Sequence, residues 1–239
     1  MTTYREIFDN IKRVMAIAAH PDDIDFECNA TIHLLRKMGK DVTYVICTGG
    51  EKGGRSSSLS SYDLIKIREY EQREAALKVG VERVVFLRFK DGEIENNKQL
   101  RAKIVEQIRR YKPDVIFAPD PANLTFTNPC ISHRDHRIVG EAVFDASYPA
   151  SGNINYFPEQ LLDGLECHEA IGLCFFSTHA PNLYVDISSV IEKKIEALQC
   201  HKSQLEHIKE LKSIVKERFR RMGQMAGCEY AEAFRWLKI

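Results

Sequence analysis

The sequence predicts an α/β fold: a Rossmann-like, mostly parallel sheet flanked by helices in three layers, with extra strands and helices toward the C-terminus. Three observations predict it. Short apolar runs alternate with helix-period segments through the first half of the chain, the pattern of a parallel sheet covered by helices. The run Val14-Met15-Ala16-Ile17-Ala18-Ala19 is apolar without polar alternation, as in strands buried on both faces. Glycines and prolines stand where helices of such a fold would stop.

Strands are expected near 13–19, 42–47, 83–88 and 114–118. Between them, Ala30 to Met38 closes on Gly39 and Asp63 to Val79 closes on Gly80, with Ser61 or Asp63 as the opening cap. Lys98 to Tyr111 stops before Pro113. The stretch Thr48 to Ser58 holds too many glycines and serines for regular structure and reads as a strand-end loop on the same side as His20, with Glu51 or Arg55 reaching inward. It is not a Walker loop, because the Gly-Lys-Ser/Thr ending is absent. Pro119 to Ser132, with three prolines and two asparagines, is a second loop at that edge. Further on, Ile171 to Phe176 and Tyr184 to Ile187 read as strands. Ser189 begins a long helical region to about His207, which continues as a basic segment through Arg221. Without a repeat or a low-complexity segment, residues 1–239 read as one domain.

Apolar residues make up 44% of the chain, ample for a core, and 34 Lys+Arg against 34 Asp+Glu give a formal charge of zero. Nothing in that balance favours nucleic acid or an anionic membrane as a partner. No stretch approaches the roughly 20 apolar residues of a membrane helix, and Glu6 and Asp9 interrupt the region where a signal peptide would be apolar. A soluble, cytoplasmic protein is expected. The seven cysteines lie at wide spacings without a Cys-x-x-Cys pair, which argues against a disulfide framework and a sulfur-rich zinc module.

Chemistry concentrates in two places. His20-Pro21-Asp22-Asp23 follows the first apolar run, and Ser132-His133-Arg134-Asp135-His136-Arg137 lies downstream of the run Val115-Ile116-Phe117-Ala118. In open α/β sheets, ligands collect outside the carboxyl ends of the strands, so two such clusters can converge. His20 and Asp23 can bind one cation, and His136 completes a set of two nitrogens and one carboxylate oxygen, the ligand class of hydrolytic zinc sites. Zinc is the first choice from this ligand type, with manganese, iron and cobalt open. Metal coordination lowers the pKa of water from 15.7 to about 7 and so supplies hydroxide at neutral pH. Asp22 is then the general base, or else a helix cap. His133 is the group for the oxyanion or the departing amine, with Asp135 holding its ring or capping the following helix.

These segments, Ala19-His20-Pro21-Asp22-Asp23, Thr48-Gly49-Gly50-Glu51-Lys52-Gly53 and His133-Arg134-Asp135-His136, resemble the LmbE-like, or PIG-L, family of zinc-dependent deacetylases. Further similarity to the diacetylchitobiose deacetylase branch lies in Ile67-Arg68-Glu69, Arg88-Phe89-Lys90-Asp91, the segment Lys112 to Pro121, Val185-Asp186-Ile187, His201-Lys202-Ser203-Gln204 and Tyr230 to Arg235. The resemblance implies removal of an acetyl group from a small N-acetylglucosamine-type sugar, one zinc on His20, Asp23 and His136, Asp22 as base and His133 at the oxyanion. It also implies that Arg68 and Asp91 contact substrate hydroxyls, and that the chain forms a homo-oligomer, up to a hexamer built from trimers. The chain departs from the family pattern at Ile24-Asp25 and Cys28-Asn29-Ala30, at Ile131 and at Cys228, where a histidine is expected in the chitobiose branch. An amidase or deacetylase acting on a sugar-thiol or N-acetylglucosaminyl-malate conjugate is the neighbouring alternative. A nucleotide-binding Rossmann module is disfavoured, because no Gly-x-Gly-x-x-Gly follows the first strand. A structural metal protein would need four closed ligands where three are counted.

Overall fold

The computed structural model describes residues 4–54, 59–123, 125–126, 128–129 and 131–239. A short helix α1 (Tyr4–Phe8) leads into β1 (Arg13–Ala18), followed by α2 (Asp23–Glu27), α3 (Asn29–Lys37) and β2 (Asp41–Thr48). Then come α4 (Ser61–Lys78), β3 (Arg83–Phe89), α5 (Lys98–Tyr111), β4 (Val115–Pro119), α6 (Arg134–Asp145) and α7 (Pro158–Leu162). The last third carries β5 (Gly172–Phe176), β6 (Leu183–Asp186), α8 (Ile191–Leu198), α9 (Lys202–Leu205), α10 (Leu211–Ala226) and β7 (Ala231–Lys238). The seven strands form one sheet in the order β3-β2-β1-β4-β5-β7-β6, parallel except for β7, which runs against both neighbours.

The apolar run of β1 serves two cores. Val14, Ala16 and Ala18 pack with α1, α3, α4, α8 and α10 on one face, while Met15 and Ile17 pack with α5 and α6 on the other. Helices on both faces require connections that return each strand to the same edge, so the exits of β1, β2, β3 and β4 share one rim. None of the described helices is long and apolar enough to cross a membrane.

The expected strands and the first three long helices match within one or two residues at each end. The single helix expected from Ser189 is instead broken into α8, α9 and α10. The first break falls at His201, whose backbone (φ −80°, ψ 57°) leaves the helix while its ring bonds Asp25 inside the protein. Strand β7 was not expected, because its inward Glu232 hides the apolar alternation.

Candidate active site

Strand ends and one helix start build the site. Beyond β1, the Ala19 carbonyl accepts the Thr48 N–H at 2.8 Å and the Thr48 hydroxyl at 2.9 Å, which locks the exits of β1 and β2 together. Asp22 adopts a left-handed backbone (φ 94°), a conformation that Asp tolerates better than most residues, and Asp23 opens α2. β3 carries a bulge: Phe86 pairs with Ile46 and Phe89 with Thr48, and Arg88 in between has φ 58°. Such a bulge re-aims the strand's exit, and Asp91 lands beside His20. α6 lies against the exit of β4 because Gly140 lacks a side chain; a Cβ there would sit 2.4 Å from the Pro119 carbonyl oxygen. That approach sets the first turn of α6, with His133 and His136, over the end of β1.

The two histidine clusters do converge. Asp23 lies between two imidazoles, with Oδ1 3.1 Å from His136 Nε2 and Oδ2 3.5 Å from His20 Nδ1. On the far side of the His20 ring, Nε2 faces Asp91 Oδ1 at 3.1 Å and Asp135 Oδ2 at 3.4 Å. The rings of His20, His133 and His136 are 5.0, 5.3 and 5.1 Å apart pairwise.

Electrostatics reinforce this grouping. Burial alone would raise Asp23, but His136 and then His20 hold it well below the usual carboxylate range. Burial disfavours the His20 imidazolium, yet Asp23, Asp135 and Asp91 together push its pKa well above the ordinary value. His136 is raised in the same way, against burial, by Asp23. Asp91 and Asp135 are both lowered despite burial, chiefly by their hydrogen bonds to His20. Three carboxylates around one imidazole draw positive charge into the site.

The donor set fits a divalent metal. An imidazole whose outer nitrogen is held by carboxylates, as His20 Nε2 is by Asp91 and Asp135, has its ring and tautomer fixed for ligation through the other nitrogen. That other nitrogen, Nδ1, faces Asp23. His136 Nδ1 is buried without a hydrogen-bond partner among the described residues. Ligating atoms of His20, His133 and His136 lie within 4.8 Å of one another, as do those of His20, Asp91 and Asp135. His133 is the exposed member of the histidine trio, and the Asp91 and Asp135 contacts are to the outer nitrogen of His20.

Around this centre the other expected residues take definite places. The Asp22 carboxylate is 3.2 Å from Arg68 Nη2, and its backbone N–H donates to Gln72 Oε1 at 2.9 Å. Burial raises its pKa against the opposing pull of Arg68. Arg68 is only 4% exposed; its Nη1 donates to the Gly50 carbonyl and its Nη2 to the Pro21 carbonyl, both at 2.6 Å. Gly50 is required there, since its φ is +67° and a Cβ would lie 2.2 Å from Arg68 Nη1. Glu51 accepts the Asp91 N–H at 3.0 Å, while its Oε2 is buried without a partner among the described residues. Arg55 lies outside the described residues.

One expectation needs correction. The Asp135 carboxylate does not hold His133: it accepts the Gly92 N–H at 2.7 Å and faces His20. His133 itself caps α6, its Nδ1 accepting the Asp135 backbone N–H at 3.2 Å. In the neutral ring the proton therefore sits on Nε2. Partial burial, then His20 and His136, lower its pKa.

The sequence reading missed the polar layer beneath Asp22. Gln72 donates to Asp25 Oδ2 at 2.8 Å, His201 Nε2 lies 2.9 Å from the same oxygen, and Lys194 bridges the Asp25 carbonyl, Asn29 and Glu232. Glu232 in turn accepts the N–H groups of Ala30 and Thr31 in the first turn of α3. Asp25, Asn29, Gln72, Lys194, His201 and Glu232 are all fully buried. A signal existed for one of them: Lys194 falls on the apolar stripe Ile191, Ile195, Leu198 of α8.

His20, Asp22, Asp23, His133 and His136 open onto a cavity of about 770 Å³, whose wall also includes Phe26, Glu27, Arg68, Gln204 and Arg218. The family model described as PIG-L, GlcNAc-PI de-N-acetylase, matches residues 15–147. The chain is 34% identical over 238 residues to the diacetylchitobiose deacetylase of Thermococcus kodakarensis, covering 97% of this chain and 85% of that protein. It is 27% identical to the probable N-acetyl-alpha-D-glucosaminyl L-malate deacetylase 2 of Bacillus anthracis, over 82% of each chain. The solved N,N'-diacetylchitobiose deacetylase from Pyrococcus horikoshii, complexed with its inhibitor MPG, superposes with a TM-score of 0.92 at 30% identity, over 100% of this chain and 88% of that one.

Proposed function

The chain belongs to the PIG-L family, and on that premise we propose that it is a metal-dependent hydrolase removing the acetyl group from an N-acetylglucosamine-type sugar, with zinc held by His20, Asp23 and His136. The observation that carries the reading is Asp23 set between two imidazoles at the floor of an open cavity, with Asp22 and His133 on the same wall.

When bound, zinc supplies Lewis acidity and lowers the pKa of water to about 7. The protein's own groups do the rest. Asp22, its pKa raised by burial, accepts the proton of the attacking water and returns it to the departing sugar nitrogen. The Nε2–H of His133 donates to the carbonyl oxygen as it gains charge. Arg68 aims the Asp22 carboxylate, while Asp91 and Asp135 hold the His20 ring and Glu51 holds Asp91. Arg68 and Asp91 also line the cavity, so sugar hydroxyls can reach both. The reading includes a single-domain chain acting in the cytoplasm as a homo-oligomer, up to a hexamer.

Acetate release from N-acetylglucosamine, diacetylchitobiose and N-acetylglucosaminyl malate tests the reading. Activity on the sugars should vanish on chelation and return with zinc. No acetate from any of the three with metal-loaded protein overturns it, and release from the malate conjugate alone moves the chain to that alternative substrate. His136→Ala should lower bound metal by elemental analysis; unchanged stoichiometry removes His136 from the ligand set.

A further inference from the structure

Asp22 and Asp23 are adjacent, yet their carboxylates serve different partners. Asp23 faces the imidazoles and accepts the His20 N–H at 2.8 Å, while Asp22 faces Arg68. The left-handed backbone of Asp22, φ 94°, is what parts them. A residue other than glycine keeps such a backbone only where its surroundings over-determine it.

Three contacts hold Asp22. Its carbonyl accepts the Phe26 N–H at 2.9 Å, its carboxylate meets Arg68, and its own N–H donates to Gln72 Oε1 at 2.9 Å. Arg68 and Gln72 stand four positions apart on α4, so one helix face takes both the side chain and the N–H of Asp22. Because φ is the rotation between that N–H and the rest of the residue, the Gln72 contact bears directly on the turn.

The Gln72 amide has one orientation open to it. Its Nε2 donates to Asp25 Oδ2 at 2.8 Å, and both residues are fully buried. Turned over, the amide would set its NH2 against the Asp22 N–H and its oxygen against a carboxylate oxygen, two repulsive contacts in place of two bonds. Asp25 is itself fixed by Asn29 Nδ2 on Oδ1 at 3.3 Å and by His201 Nε2 on Oδ2 at 2.9 Å. Asp25 and Asn29 stand where the chain departs from the family pattern.

We propose that Gln72, oriented by Asp25, is a positioning residue for Asp22: its amide oxygen holds the Asp22 N–H and with it the left-handed turn that presents the Asp22 carboxylate apart from that of Asp23. That Asp22 is the base rests on the sugar-deacetylase reading; the hold on its backbone does not.

Gln72→Met, close in shape, removes the acceptor and leaves a buried N–H unpaired, so the turn relaxes. With zinc-loaded protein, kcat for acetate release should fall about tenfold to a hundredfold, the scale of a misplaced catalytic group, with KM within twofold. Zinc by elemental analysis should stay at the wild-type stoichiometry, since Asp23 keeps its bond to the His20 N–H. Added to Asp22→Asn, Gln72→Met should change the residual kcat less than twofold, because it acts through the group already removed. Crystal structures read the turn without turnover: φ of residue 22 should leave the positive range in Gln72→Met. The paired exchange Gln72→Glu with Asp25→Asn reverses donor and acceptor between those two side chains but keeps an oxygen toward the Asp22 N–H. It should restore the positive φ and bring kcat within about fivefold of wild type, with His201 Nε2 as acceptor and its partnerless Nδ1 carrying the proton.

A positive φ at Asp22 in Gln72→Met overturns the proposal, as do kcat within twofold of wild type, loss of zinc, or an equal fall in the Asp22→Asn background. If Gln72→Met does not fold, the exchange decides: a folded exchange protein that has lost the positive φ overturns the proposal, and one that keeps it supports the proposal. An inactive wild type whose turn still depends on Gln72 counts against the deacetylase reading alone.

Discussion

The two ends of the sheet each bury charge, and they do so differently. At the amino-terminal end, Arg109 near the close of α5 is 1% exposed and spends its guanidinium on neutral oxygens: the carbonyls of Ala150, Ser151, Asn153, Tyr156 and Phe157 and the Gln160 side chain. Residues 146–157 lack strand partners, and one planar side chain with five donors gathers their carbonyls, adding a second donor to most of them and the one to Tyr156. At the carboxyl-terminal end, acids and imidazoles are set against each other beside a cavity, and His136 and Glu51 keep buried atoms without partners among the described residues. Buried charge alone does not mark function; mutually facing titratable groups with an open side do.

Asp22→Asn is the sharpest way to break that contrast. Asn tolerates the left-handed backbone of position 22, so the fold and the bound metal should survive. Loss of the base should cut kcat about 10²- to 10⁴-fold. Elemental analysis and a thermal melt alongside the acetate assay check all three expectations. Retained activity refutes the assignment of Asp22.

The opposite outcome is expected at the other end. Arg109→Met removes the buried guanidinium that ties five carbonyls and the Gln160 side chain together and should lower stability by about 3–5 kcal/mol in urea unfolding. Acetate release per folded molecule should stay within twofold of wild type. If instead Asp22→Asn unfolds the protein, or Arg109→Met silences it at full stability, the division between the two ends is wrong.

Legibility in the sequence follows the same division. His20, Asp23 and His136 could be read because their chemistry is local: short motifs directly after apolar strands, in a fold whose strand ends share one rim. The strands themselves were plain for the same reason, since β1 feeds both cores and needs no polar residue. Side-chain direction was not legible. Asp135 follows His133 by two positions, yet its carboxylate turns to Gly92 and His20, a choice made by the packing of α6 on β4 through Gly140. For Arg68 the resemblance offered only a contact to substrate hydroxyls, and the loop at Gly50 is what reveals why its charge is drawn inward. The Asp25–His201 and Lys194–Glu232 pairs join residues 176 and 38 positions apart, beyond the reach of any local pattern.

Asp120 tests whether position at the carboxyl rim suffices for a functional role. It follows β4, is 3% exposed, and receives Arg235 of β7 through Nε at 2.8 Å and Nη2 at 2.6 Å, the Thr178 hydroxyl at 2.5 Å and the Ala122 N–H at 2.8 Å. Burial would raise its pKa, but these donors, Arg235 first, hold it below the ordinary carboxylate value. The folded state therefore binds the Asp120 proton more weakly than the unfolded chain. Stability from this group is complete above the unfolded pKa of about 3.9 and is lost as pH falls through the lower folded value. Asp120→Asn should be less stable than wild type at pH 7, by about 1–2 kcal/mol, and the gap should narrow as urea unfolding is repeated below about pH 4. Its acetate release at pH 7 should match wild type within twofold, because its partners are an arginine on β7 and loop donors rather than an imidazole facing the cavity. A collapse of activity in a folded Asp120→Asn protein would extend the active site along the rim to β4 and β7, and the boundary between structural and functional charge would have to be redrawn there.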